Sequence, residues 1–214
     1  MKLSTISISI IAYLCCFLSN FNVIAQNNLE PVQSIYDIYD FQFVYYSTVR
    51  KILFKGLSDS PEIRYQVMPS FTPENVLVIE YDDEKKKYYL KYHIGKESIW
   101  YSKNREKVKV DRFKKEIDKA SVDLIKLLFQ TAVLKAKFPE EIIEGNDGTN
   151  YYFSVSHYGM KSGTIWSPAE YSNTGKLVSI GNTLIELAKS NTSIVKFDIK
   201  FIEKIKVLMI DLKK

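Results

Sequence analysis

His157 is the residue of this chain whose type and position come closest to those of a catalytic group. In the predicted strand around it, alternation places His157 on the same face as Phe153 and Val155. A partly buried histidine next to a carboxylate can act as a general base, and Asp147 and Glu144 are acidic residues in the loop before this strand. A hydrolase using His157 with one of them is therefore our alternative hypothesis. We favour a structural histidine, because perturbed histidines also occur in ordinary cores.

Three aromatic residues form the second group of candidates. Trp100 and Trp166 are the two tryptophans of the chain, and both fall on predicted strands, while Tyr158 follows His157 on the opposite face. Exposed aromatic rings can stack on sugar rings or bind a partner protein, so Trp100, Tyr158 and Trp166 are candidate binding residues. The favoured interpretation is that they fill the interface between sheet and helices, since aromatic residues are strand formers in any case.

Other catalytic patterns are missing from the sequence. The two histidines, His93 and His157, lie on different predicted strands, and Asp82-Asp83-Glu84 lacks the ligand spacing of a calcium loop. The motifs GxSxG, HExxH, GxGxxG and GKS or GKT do not occur. We predict no metal and no cofactor, and we favour a protein that is not an enzyme.

The N-terminal segment has the layout of a secretory signal peptide. Lys2 supplies a positive charge, residues 6–18 form a short apolar run, and Val23 and Ala25 occupy the −3 and −1 positions of a cleavage site. We predict cleavage after Ala25, which leaves residues 26–214 as a single domain in the periplasm or at the cell surface.

Both cysteines of the chain, Cys15 and Cys16, fall in that segment. Lipid attachment at one of them is an alternative, but Leu14 or Cys15 then precedes the modified residue, where a small residue is required. The mature chain has no cysteine, so it has neither a disulfide nor a thiolate nucleophile. No apolar run in residues 26–214 is long enough to span a membrane.

The elements that carry these residues follow from the period of the apolar positions. Residues 38–53 show helical spacing, although their aromatic content also suits a strand within 36–55. A meander, a clear helix, a hairpin and two further helices follow. Their predicted bounds are strands 63–67, 76–81, 88–94, 98–101 and 108–113, helix 118–138, hairpin 149–158 with 164–167, and helices 174–189 and 201–214. The sum is an α+β domain with a mostly antiparallel sheet and three to four helices packed on one face.

Charge is distributed unevenly along the mature chain. Residues 26–84 are acidic overall, whereas residues 85–119 carry 13 basic and 5 acidic side chains. Such a segment can bind polyanions, but we favour a solvated sheet face whose lysines guard the edges. Because the chain is expected to be exported, nucleic acid is not expected as a partner.

The C-terminal helix carries several lysines near its apolar stripe. We predict that it docks on the sheet. The alternative is peripheral contact with a membrane, in which the lysines lie near the lipid headgroups. These lysines are Lys200, Lys204, Lys206, Lys213 and Lys214.

One segment resembles a pattern found in uncharacterised bacterial exported proteins. Asp147-Gly148 is followed by Tyr151 and Phe153, then by residues 163–168 with the sequence GTIWSP, and then by an apolar helix. The resemblance implies a shared strand–turn–strand–helix unit and brings no known activity. With the signal peptide and the aromatic residues, it leads us to predict a non-enzymatic binding or interaction module of the bacterial cell envelope. Its expected partner is an envelope glycan or protein.

Overall fold

The computed structural model of the chain describes residues 26–34, 36–139 and 147–214. The predicted signal peptide, including Cys15 and Cys16, lies outside these residues, as does Glu144. The described chain forms one eight-stranded sheet and four α-helices. The predicted α+β class with a mostly antiparallel sheet is confirmed.

The strands follow the order β1-β7-β6-β2-β3-β4-β5-β8 across the sheet, and only the β5–β8 pair is parallel. The helices are α1 (Asp40–Leu53), α2 (Lys119–Val133), α3 (Asn173–Lys189) and α4 (Ile199–Asp211). The strands are β1 (Glu30–Pro31), β2 (Ile63–Pro69), β3 (Asn75–Asp82), β4 (Lys87–Gly95), β5 (Val110–Ile117), β6 (Thr149–Ser156), β7 (Met160–Trp166) and β8 (Ile194–Val195).

The centre of the sheet joins segments that are distant in sequence. β2 pairs with β3 on one side and with β6 on the other, so that Tyr65 lies between Leu77 and Phe153. The rings of Tyr65 and Phe153 are 4.9 Å apart, and both side chains are fully buried. The alternation seen in the sequence therefore places the side chain of every second residue in the core.

Three helices cover the face of the sheet on which Tyr65 and Phe153 lie, and we call it the three-helix face. The apolar stripe of α2 and that of α3 pack on it, and Asp118, Ser172 and Asp198 cap α2, α3 and α4 by accepting from backbone N–H groups. Each cap of this kind contributes about 1 kcal/mol. The predicted helix 118–138 is shorter in the structure, since α2 ends at Val133.

The C-terminal helix α4 lies mainly against α2 and α3, so it joins the three-helix face by way of two other helices. Ile205, Leu208 and Leu212 are buried there. Its lysines stay exposed on the outer side. Among the described residues no helix is long and apolar enough to cross a membrane.

The opposite side of the sheet, the one-helix face, is covered by α1. The helical prediction for residues 38–53 is confirmed, and Gly56 follows its end with a positive φ of 84°. Val49 and Leu53 are fully buried on this face against Val76 and Val78 of β3. The predicted strand 98–101 is not a strand: these residues form a turn beside α1, for a reason given by Glu74 below.

Candidate functional site

Glu74 anchors the one-helix face of the molecule. It lies just before β3 and is fully buried. Its carboxylate accepts hydrogen bonds from the Tyr45 hydroxyl at 2.6 Å and from the backbone N–H groups of Ile99 at 2.7 Å and Trp100 at 3.0 Å. The Ser98 hydroxyl donates at 3.3 Å. Among the described residues no ion pair reaches Glu74, and these four hydrogen bonds are its partners instead.

This arrangement explains why residues 98–101 do not form a strand. In a strand, successive N–H groups point to opposite sides. Here the N–H groups of Ile99 and Trp100 converge on one carboxylate, as N–H groups do at the first turn of a helix. The turn closes further with a bond from Ser102 N to Ser98 O. Glu74 thus fixes the backbone on which Trp100 is carried.

Tyr45 links the same carboxylate to α1. Burial, together with the hydrogen bond to Glu74 and its negative charge, raises the pKa of Tyr45 far above its ordinary value. The phenol therefore stays protonated and keeps donating. The side chain of Tyr45 also packs edge-on against Trp100, with ring centroids 4.8 Å apart.

Around this anchor lie four exposed aromatic rings and the half-buried Trp100, which we together call the aromatic surface: Tyr39, Phe41, Phe71, Trp100 and Tyr101. Tyr39 and Phe41 stack at 5.7 Å and are 73% and 57% exposed, and Phe41 meets the edge of Trp100 at 6.5 Å. Phe71 and Tyr101 form a second stacked pair at 6.5 Å. Exposed apolar side chains grouped in this way are typical of interaction sites.

Arg105 holds Trp100 from the other side. Its guanidinium lies 5.1 Å from the Trp100 ring centroid and donates to the Trp100 carbonyl oxygen at 3.1 Å. A cation over an indole face contributes about 0.5–1 kcal/mol at a partly exposed position. Trp100 is consequently half-buried in a fixed orientation rather than free to move.

The structure does not bring the three predicted binding residues together. Trp100 follows β4 and Trp166 ends β7, four strand spacings away, which is about 19 Å across the sheet. Tyr158 lies in the turn before β7, at the end opposite Trp166, and is 97% exposed. Trp166 is half-buried and lies against Gly148, where an added Cβ would come within 2.5 Å of its indole nitrogen. Only Trp100 belongs to the aromatic surface.

His157 is half-buried at the end of β6 and has an amide as its side-chain partner. The side chain of Gln130 from α2 lies 3.1 Å from His157 Nδ1. Asp147 precedes the opposite end of β6, about 30 Å away along an extended strand. Within the part of the chain that the structure describes, no hydrogen bond joins His157 to a carboxylate, and no cluster of three or more metal-ligating side chains occurs.

Sequence reasoning missed Glu74, Tyr39, Phe41, Phe71 and Tyr101 as site residues. For α1 the sequence pattern pointed the other way: Phe41 falls at helical spacing with Tyr45 and Val49, which are buried, but it lies in the first turn and is exposed. Glu74 carries no signal of burial either, because a glutamate in a Pro-containing turn is ordinarily solvated.

No protein-family model, no curated protein and no solved structure matches this chain. The resemblance to uncharacterised bacterial exported proteins accordingly stays a prediction.

Proposed function

We propose that this chain is a non-enzymatic binding module of the bacterial cell envelope, exported by its N-terminal segment, and that the aromatic surface contacts its partner. One observation carries the proposal: four exposed aromatic side chains and the half-buried Trp100 form two stacked groups, Tyr39–Phe41–Trp100 and Phe71–Tyr101, and Glu74 fixes the turn that carries Trp100. Aromatic residues held in this way supply large contact area at little entropic cost. The partner is an envelope glycan or protein.

The hydrolase alternative finds less support. A general base needs a substrate and an orienting group within hydrogen-bond reach, and the described partner of His157 is the neutral side chain of Gln130. Activity that disappears in His157→Ala at unchanged melting temperature would replace our proposal by that alternative.

The test measures binding of the mature chain to panels of envelope glycans and envelope proteins. We compare Phe41→Ser with Tyr158→Ser, because both remove an exposed ring but Tyr158 lies outside the aromatic surface. Phe41→Ser is expected to weaken binding at least about tenfold, as for an aromatic residue at the centre of an interface, while Tyr158→Ser leaves it unchanged. Equal effects of both variants, or no ligand in either panel, would contradict the proposal.

Export is tested separately. Mass spectrometry of the protein recovered from an envelope fraction is expected to give a chain beginning at Gln26. An uncleaved chain in the cytoplasm, or a lipid-modified Cys15 or Cys16, would contradict the predicted signal peptide.

A further inference from the structure

The outer edge of β5 is largely open. β8 pairs with Glu116 and Ile117 alone, and no strand among the described residues pairs with the preceding part of β5, from Val110 to Lys115. This open edge spans about 20 Å at the rise of a strand. Unpaired strand edges are sites at which another extended chain can add to a sheet.

The direction of the backbone groups along this edge follows from two hydrogen bonds. Lys96 N donates to Lys109 O at 2.8 Å, so the odd-numbered residues turn their backbone groups toward β4. Asp118 N donates to Val195 O at 3.2 Å, so the even-numbered residues turn theirs outward, toward β8. Arg112 and Lys114 therefore present both N–H and C=O at the open edge. The carbonyl oxygen of Val110 faces outward too and accepts from the Arg112 guanidinium at 3.3 Å.

The open edge is strongly basic. It carries three basic residues, Arg112, Lys114 and Lys115, and Lys109 directly precedes it. Its one acidic residue is Asp111. A groove of about 810 Å³ lies beside the first half of β5, and its basic lining residues are Lys51, Lys55, Lys96, Lys109 and Arg112.

Two acidic residues neutralise part of that groove. Glu106 pairs with Lys51 at 2.9 Å and Asp111 with Lys96 at 3.1 Å. Across the described chain no ion pair reaches Lys55, Lys109 or Arg112. The groove consequently keeps three cations for a ligand.

The charge of the edge selects among possible strands. A second copy of this chain would bring the same basic edge and be repelled, which is how lysines protect sheet edges from self-association. A strand that carries carboxylates is attracted to this edge instead, because it forms ion pairs with the basic side chains in addition to the backbone hydrogen bonds.

We propose that the open edge of β5 binds an extended acidic segment of a partner protein, which adds to the sheet as a further strand with acidic side chains in the groove. This site is separate from the aromatic surface and does not depend on the function proposed for it.

The test uses fluorescence anisotropy of a labelled peptide of about eight residues that alternates glutamate and threonine. Lys114→Ala and Lys114→Pro form a matched pair, since both remove the charge but only proline also removes the outward N–H. Proline is tolerated at an edge position whose N–H faces solvent. Lys114→Ala is expected to weaken peptide binding about threefold, and Lys114→Pro at least about thirtyfold, at equal melting temperatures.

A second probe keeps the proposal testable if Lys114→Pro does not fold. The same peptide N-methylated at every residue keeps its charge but has no backbone N–H to donate at either edge, and it is expected to bind the unaltered chain at least about thirtyfold more weakly. Equal binding of both peptides would overturn strand addition. Tighter binding of single-stranded DNA or polygalacturonate than of the peptide would also overturn it, since ionic attraction alone would then explain the edge. Phe41→Ser is expected to bind the peptide normally, which separates this result from the fate of the aromatic surface.

Discussion

The three-helix face of the sheet is closed mainly by apolar side chains, whereas the one-helix face is closed by α1 together with a buried carboxylate. On the first face, Phe153 and its neighbours form a large apolar cluster, in which the buried Tyr65 donates to a neutral acceptor, Asn182. On the second, Glu74 collects donors from α1 and from the turn that carries Trp100. The comparison shows two ways to cover a sheet: apolar burial stabilises the three-helix face, whereas directional hydrogen bonds fix the backbone on the one-helix face. Of the three predicted binding residues, only Trp100 belongs to the aromatic surface on the one-helix face, where hydrogen bonds to Glu74 fix the backbone of its turn.

The largest effect is expected on the three-helix face. Phe153→Ala removes a fully buried ring that contacts Tyr65 and Phe129, so the free energy of unfolding should fall by about 3–5 kcal/mol. Urea unfolding measures the loss, and Tyr158→Ala, an exposed change, should stay within about 0.5 kcal/mol. A loss below about 1 kcal/mol for Phe153→Ala would mean that this face is not the main store of stability.

The carboxylate of the one-helix face is tested by Glu74→Gln. The amide keeps the shape of the side chain but turns an N–H₂ toward donors, so we expect a loss of about 2–3 kcal/mol. In a Trp166→Phe background Trp100 is the only tryptophan. Acrylamide should quench its fluorescence more easily when Glu74→Gln is added. Glu106→Gln changes an exposed ion pair and should cost less than about 0.5 kcal/mol. Unchanged quenching of Trp100 would contradict the role of Glu74.

One buried tyrosine on each face allows a direct comparison. Tyr45 donates to the carboxylate of Glu74, whereas Tyr65 donates to the neutral Asn182 Oδ1 at 3.0 Å. Bonds to charged acceptors contribute more, so Tyr45→Phe should cost about 2 kcal/mol and Tyr65→Phe about 1 kcal/mol. The reverse order in chemical unfolding would argue that the carboxylate contributes no more than a neutral acceptor.

The smallest effect is a dependence on pH that arises on the one-helix face. His93 is buried, and its Nδ1–H donates to Leu53 O at the end of α1 at 2.7 Å. Burial lowers the pKa of His93, with help from the charges of Arg112 and Lys91. Because the unfolded chain takes up the proton first, stability should fall as the pH drops below about 6.5 and through the lower folded pKa.

Urea midpoints at pH 7 and pH 5 measure this loss. His93→Gln should remove that part of the dependence, and Arg112→Gln should make it smaller, since one positive charge near the imidazole is gone. A midpoint of the unaltered chain that does not change between the two pH values would contradict the lowered pKa.

Much of the fold was predictable because it depends on local period. The stripes of α1 and α3 predicted helices close to those observed. Alternation in residues 63–67 and 88–94 predicted β2 and β4, and the continuous apolar run 76–81 predicted β3. The predicted hairpin was less accurate: Gly163 was placed in the turn, but it lies within β7, opposite Phe153. Because glycine has no Cβ, the Leu29 side chain can pack closely against β7 at this position: an added Cβ would come within 2.9 Å of it.

The site was much less predictable. Trp100 was identified as a candidate, but its predicted strand is a turn, and the rings beside it in space are Phe41 and Tyr45, almost 60 residues earlier in the chain. Tyr158 and Trp166, chosen for the same residue type, lie elsewhere. Residue type alone cannot specify which aromatic rings meet, because their meeting depends on sheet order and on the packing of α1.

The sequence by itself determined the α+β class, the four helices, the approximate positions of β2 to β7 and the absence of cysteine from residues 26–214, because period and composition act over short distances along the chain. Only the tertiary structure decided that β6 lies beside β2, that Glu74 is buried and that Phe41 meets Trp100. The physical reason is that a buried carboxylate needs donors with defined directions. Here those donors come from segments far apart in sequence, and they meet only after α1 has packed on the sheet.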